Sequence, residues 1–343
     1  MICPIIVGFQ GLEPDWSWLK RVKPAGVILF TRNLENLGQL TDLSSRLHRE
    51  HPGCFLAIDE EGGRVHRLRP LLGEFPGPAN WRSTEDARCH GIGMGAMLTA
   101  LGIDLNFAPV VDLDYGRSGN ALDQRYLGQS LAQVIDRAEA YVAGLRASGV
   151  EGCFKHFPGL GSTIPDSHYA LPELGLDEAA WQREEGQVYR TLAQRGLNDV
   201  PLMLAHVRVP FWGDEIASLS ARAVQAARAL GHSGMLVTDD LEMKALPQED
   251  LPELGLRALL AGLDLLIICH DADLIEAIAD RLKASTALDR RHSERLGGFQ
   301  ARLAALRDQA PAGDLPAARL AWQSLVARAR SEEGLLPAHE FLS

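Results

Sequence analysis

Between residues 155 and 172 the chain reads KHFPGLGSTIPDSHYALP, and within it Asp166 and His168 stand two residues apart. In an extended or turn backbone that spacing lets a carboxylate reach an imidazole and fix its tautomer, which makes a general acid and base near neutral pH. A second group with chemical potential is the pair Asp239 and Asp240, which closes the apolar run ending VTDD. Neighbouring strand residues face opposite sides, so only one of the two faces inward. A carboxylate at a cavity with an acid donor opposite is the minimal equipment for glycosyl transfer through a covalent sugar ester. The plainer role, capping a following helix, suits Asp240 better than Asp239.

These groups need a frame. Short runs rich in Val, Ile, Leu and Phe recur at 2–9, 26–30, 55–59, 105–113, 153–157, 202–207, 235–239 and 264–270. Amphipathic stretches that read as helices separate them at about 36–50, 84–101, 129–148, 177–196, 219–230 and 251–262. Continuous apolar runs joined by helices are expected of parallel strands buried on both faces. Eight alternations predict a single α/β domain over residues 1–343: a (β/α)8 TIM-type barrel with extra C-terminal helices. The tail from about 272 to 331 supplies two or three packed outer helices.

In such a barrel the carboxyl ends of the strands line the active-site mouth. Six of the eight runs end in or carry titratable groups there: Asp59 with Glu60 and Glu61, Asp112 with Asp114, Lys155 with His156, His206, Asp239 with Asp240, and His270. Unpaired charges at semi-buried strand ends are costly, so this clustering points to chemistry. The segment after His156, with Pro158, Gly159, Gly161 and Pro165, reads as a long irregular loop over the mouth, the kind that serves binding or closure.

Composition narrows the partners. The 343 residues are 46% hydrophobic and 23% charged, and 34 Lys and Arg against 45 Asp and Glu give a net charge of -11. No basic cluster stands out, so neither nucleic acid nor an anionic membrane is the expected partner. Without a basic leader or an apolar run of 18 residues, a cytoplasmic location is expected. The five scattered cysteines read as reduced and mostly strand-borne.

Taken together, GVILFTRN at 26–33, AIDEEGGRVHRL at 57–68, NFAPVVDLD at 106–114, KHFPG and DSH in the long loop, LAHV at 204–207 and VTDDLEM at 237–243 resemble the NagZ-type β-N-acetylglucosaminidases of glycoside hydrolase family 3. The resemblance implies a retaining, exo-acting enzyme of peptidoglycan recycling that needs no metal or other cofactor. Its substrate would be N-acetylglucosamine linked to anhydro-N-acetylmuramic acid, with or without peptide. Asp239 then matches the nucleophile, His168 the acid/base and Asp166 its partner. Asp59, Arg125, Lys155, His156 and His206 match sugar-binding positions. Two departures stand out: Leu160 where the family usually has histidine after KHFPG, and the altered neighbours of Arg125, which has Asp123 as a plain alternative partner.

Other readings remain open at this stage. The same site could transfer the sugar to phosphate, or act as a broader β-glucosidase. The substrate's own acetamide could attack, with Asp59 and Glu60 as its adjacent acid pair. From another class, His156, His206, His270 and Asp239 could form the metal site of a barrel amidohydrolase, although the first strand lacks a His-x-His pair. A non-catalytic sugar sensor is the last alternative.

Overall fold

A computed structural model describes residues 2–116, 122–163, 171–247, 250–285, 290–310 and 314–330. The strands are β1 (Cys3–Val7), β2 (Pro24–Leu29), β3 (Phe55–Ile58), β4 (Glu60–Gly62), β5 (Val65–His66), β6 (Leu105–Asn106), β7 (Phe154–Phe157), β8 (Leu202–Leu204), β9 (Leu236–Asp240) and β10 (Leu265–Ile268). The helices are α1 (Trp16–Val22), α2 (Leu37–Glu50), α3 (Arg69–Leu72), α4 (Thr84–Ala100), α5 (Leu131–Ala147), α6 (Glu178–Arg183), α7 (Glu185–Leu192), α8 (Ala221–Ala229), α9 (Leu251–Ala261), α10 (Ala272–Lys283), α11 (Arg290–Gln309) and α12 (Leu315–Arg330).

Eight strands form one sheet in the order β6-β3-β2-β1-β10-β9-β8-β7, and the pairs are parallel throughout. The outermost strands meet: Asn106 N donates to Glu151 O at 2.8 Å, Cys153 N to Ala108 O at 2.8 Å and Val111 N to Lys155 O at 2.7 Å, which closes the sheet into the expected barrel. The fourth apolar run pairs regularly only over Leu105 and Asn106, and Pro109 farther along it has no N–H to give.

Side-chain parity sorts the apolar residues into two clusters. Leu56, Ile58, Leu202, Leu204, Leu236, Leu266 and Ile268 point outward onto the helices. Phe55, Ala57, Met235, Val237, Leu265 and Ile267 fill the barrel interior. Leu296, Phe299 and Leu303, spaced three and four residues apart on α11, join that inner cluster, with the Phe299 ring edge-on to Phe55 at 5.7 Å. The sequence places α11 in the outer layer; instead it lies across the amino-terminal end of the barrel as a floor.

Arginines on the same helix hold it there. Arg295 binds Asp264 through Nε at 2.5 Å and Nη2 at 2.8 Å, Arg302 reaches Glu151 at 2.5 Å and also Asp199, and Arg307 binds Asp104 at 2.7 Å. The acids also bind backbone N–H groups at strand starts: Asp264 accepts from Leu236 N, and Asp104 from Leu56 N, each at 2.8 Å. Two other elements differ from the sequence reading. The 177–196 stretch breaks at Glu184 into α6 and α7, and Asp59 is followed by the small β4–β5 hairpin. All five cysteines are free and buried, but only Cys3 lies within a strand.

Candidate active site

The same parity that packs the interior sets its upper rim. Above Met235, just before β9, and Val237 within it the next inward residue is Asp239, above Phe55 and Ala57 on β3 it is Asp59, and above Cys153 it is Lys155. They line a cavity of about 520 Å³ at the carboxyl end of the barrel, within the roughly 300–1,000 Å³ typical of small-molecule sites. Asp240 reaches the same cavity, with its Oδ1 accepting the Glu242 N–H at 3.2 Å in a tight turn. That turn, not the N-cap of a helix, is its local role; the next helix begins at Leu251.

Opposite Asp239 the polar groups are linked one to the next. Lys155 Nζ contacts Asp59 Oδ1 at 2.8 Å and Glu61 Oε1 at 2.6 Å. Glu61 accepts two bonds from Arg125, at 2.8 Å from Nε and 2.8 Å from Nη2. Arg125 in turn approaches His156 Nε2 at 3.4 Å, and His156 Nδ1 lies 2.7 Å from Asp112. Asp112 accepts, so Nδ1 carries the proton and Nε2 faces the guanidinium. Arg125 therefore pairs with Glu61, a carboxylate 64 residues away that the sequence reading leaves without a role. Glycines make the reach possible: Gly62 has φ +80°, and a Cβ there would lie 2.3 Å from Pro76 O, so the hairpin turns tightly enough to aim Glu61 inward.

Electrostatics follow from this arrangement. Burial raises the Asp239 carboxyl, but the imidazoles of His156 and His206, the Asp240 N–H and the Lys155 ammonium outweigh it and hold it below its usual value. The group is therefore ionised at neutral pH, as a nucleophile requires. Burial opposes the charge on Lys155, yet Asp59 and Glu61 raise its pKa overall. Asp240 differs: burial and the neighbouring Glu242 and Asp239 push it up to about 7.

His206 sits behind this rim. It is fully buried, its Nδ1 is 2.6 Å from Ser218 Oγ, and its Nε2 is 2.8 Å from the Asp240 carbonyl. The carbonyl can only accept, so Nε2 carries the proton, and burial lowers the ring's pKa. Both nitrogens are engaged, and the ring steadies the end of β9.

Glu60 turns away from the cavity to bind His66 Nδ1 at 2.6 Å and Leu68 N at 2.9 Å, so Asp59 and Glu60 do not form a pair at the site. Leu160, where the resemblance leads one to expect histidine, donates its N–H to Asp112 at 2.7 Å; the backbone ties down the loop root there. Asp166 and His168 lie outside the described residues. No three of the four groups of the amidohydrolase reading, His156, His206, His270 and Asp239, come within metal-ligating reach of one another. Among the described residues Asp240, Glu242 and His270 do approach one another, but Glu242 already accepts the N–H groups of Cys269, His270 and Asp271.

Comparison with known proteins settles the family. The model of the glycosyl hydrolase family 3 N terminal domain matches residues 8–296. The chain belongs to glycosyl hydrolase family 3. This glycoside hydrolase is 33% identical over 302 residues to a β-hexosaminidase of Thioalkalivibrio sulfidiphilus, covering 81% of this chain and 84% of that one. It is 34% identical over 301 residues to a β-hexosaminidase of Bordetella avium, covering 83% and 85%. Among solved structures, a family 3 β-N-acetylglucosaminidase from a Paenibacillus species superposes with a TM-score of 0.81 at 31% identity, over 89% of this chain and 61% of that chain. NagZ from Neisseria gonorrhoeae in complex with N-trifluoroacetyl-D-glucosamine gives a TM-score of 0.75 at 27% identity, over 90% and 98%. The resemblance carried by the sequence motifs thus holds at the level of the family and its NagZ-type members.

Proposed function

We propose that this family 3 hydrolase is a retaining, exo-acting β-N-acetylglucosaminidase. It removes non-reducing terminal N-acetylglucosamine from cell-wall fragments, as a step in peptidoglycan recycling in the cytoplasm. The observation that carries the reading is Asp239, held ionised at the top of the inward row of β9 and facing the Lys155, Asp59, Arg125 and His156 cluster across a closed-bottomed cavity. The names of its relatives supply the sugar.

Asp239 attacks the anomeric carbon while His168, oriented by Asp166, protonates the departing oxygen; His168 then deprotonates water, which releases the sugar with retained configuration. Asp59, Lys155, Arg125 and His156 hold the sugar hydroxyls, with His206 bracing the nucleophile's strand from behind. The leaving group is anhydro-N-acetylmuramic acid, with or without its peptide.

The test is turnover of a chromogenic β-N-acetylglucosaminide beside the matching β-glucoside, by wild type, Asp239→Ala and His168→Ala. Preference for the acetamido sugar, and loss of activity of about 10⁴-fold in the Asp239 variant, are expected. A 5-fluoro glycosyl inhibitor should leave its adduct on Asp239, and labelling elsewhere refutes the assignment. N-acetylglucosamine 1-phosphate as the main product in phosphate buffer would refute hydrolysis.

A further inference from the structure

The polar cluster facing Asp239 contains one carboxylate to which neither the motifs nor the mechanism gives a task. Glu61 is 4% exposed, and it is the only side chain among the described residues that binds both cations of the cluster, Arg125 with two bonds at 2.8 Å and Lys155 at 2.6 Å. Those cations come from different places, Arg125 from the segment before α5 and Lys155 from β7. A buried cation that has lost its water is held only by its counter-charge. Two carboxylates, Asp59 and Glu61, balance two cations, Lys155 and Arg125, so the wall that meets a neutral sugar is polar and close to neutral overall. The shared Glu61 also fixes the spacing. A lysine has three donors, and with two spent on Asp59 and Glu61 the third is directed by elimination.

We infer that Glu61 is the positioning residue of the sugar site: by binding Arg125 and Lys155 at once it sets the distance and direction of the donors that grip the sugar. The inference rests on the glycosidase reading above. Glu61 itself touches no reacting atom, and its effect passes entirely through the two cations. Its carboxyl is well suited to stay charged: burial raises its pKa, but Arg125 and Lys155 drive it far below the carboxylate range.

The experiment compares wild type, Glu61→Gln, Glu61→Asp, Arg125→Met and the Glu61→Gln/Arg125→Met double variant on a neutral aryl β-N-acetylglucosaminide, with a melting curve for each. Glu61→Gln keeps the shape and removes the charge. It should raise KM by about tenfold or more, by a larger factor than kcat falls, and weaken competitive inhibition by N-acetylglucosamine equally. Glu61→Asp, with the charge kept on a shorter arm, should recover part of the loss. The double variant should lose less than the product of the two single losses, because the part of Glu61's effect that passes through Arg125 is already gone while the part that passes through Lys155 remains. An unchanged KM in folded Glu61→Gln overturns the inference, as do additive losses in the double variant. If Glu61→Gln does not fold, Glu61→Asp decides: unchanged KM and inhibition refute the role. Wild-type turnover reports separately on the substrate, because its absence defeats the glycosidase reading whatever the ratios among variants.

Discussion

At the floor of the barrel Asp104, Glu151, Asp199 and Asp264 each meet an arginine of α11. At the mouth, among the described residues, Asp239 and Asp240 meet no arginine or lysine at ion-pair distance; the His270 ring stands 3.8 Å from Asp240, and burial and Arg32 lower its pKa. The same strands run between the two ends, and the interior between them is apolar. Charge is neutralised at the floor, and also along the wall where Lys155 and Arg125 meet Asp59 and Glu61, but is left available at Asp239. Two of the floor acids, Asp104 and Asp264, also accept N–H groups from the starts of strands, so their cost of burial is offset twice. The mouth accepts that cost at Asp240, whose carboxyl is driven up toward neutrality.

The sharpest way to break the contrast is to neutralise the carboxylate at the mouth. Asp239→Asn should lower kcat/KM by about 10⁴-fold while leaving the melting temperature little changed or slightly lower, since no ion pair is broken but a charge that His156, His206, the Asp240 N–H and Lys155 favour is lost. Comparison of steady-state rates with calorimetry checks both halves. The reverse is expected at the floor: Asp264→Ala removes the counter-charge of Arg295 and Arg228 and the acceptor of the Leu236 N–H. With both arginines about a quarter exposed, it should cost about 2–4 kcal/mol of stability in a denaturant titration. KM per folded molecule should not move.

The smallest effect sharpens the contrast through pH. Asp240 titrates near 7 in the folded chain against 3.8 ordinarily. Between those values the native state keeps a proton that the unfolded chain has released, so the stability Asp240 contributes at pH 4 is lost as pH rises toward 7. Asp240→Asn should therefore melt about 2–4 °C higher than wild type at pH 8 and no higher at pH 4, in scanning calorimetry at both values.

Much of this was written in the apolar runs. A strand buried on both faces leaves a continuous signal, and each run has its strand; the residues closing those runs, Asp59, Lys155 and Asp239, do reach one cavity because the parity of a strand is fixed. What escaped depends on distance along the chain. Glu61 and Arg125 are 64 residues apart, and nothing local in DEEGGR says which of three acids turns inward; the hairpin decides, sending Glu60 to His66 and Glu61 to the cavity. The position of α11 was hidden for a related reason. Leu296, Phe299 and Leu303 have the spacing of any amphipathic helix, and an apolar stripe does not tell whether it meets the outside of a barrel or its open end. Asp166 and His168 are legible as a motif only.

The family domain match stops at residue 296, just where α11 begins to seal the barrel. An engineer who trimmed this enzyme to that boundary would keep every strand and every proposed catalytic group, yet leave the hydrophobic bore open to solvent and three acids, Asp104, Glu151 and Asp199, without their arginines from α11. Transplants of the catalytic module into fusion proteins should therefore carry the chain through Gln309.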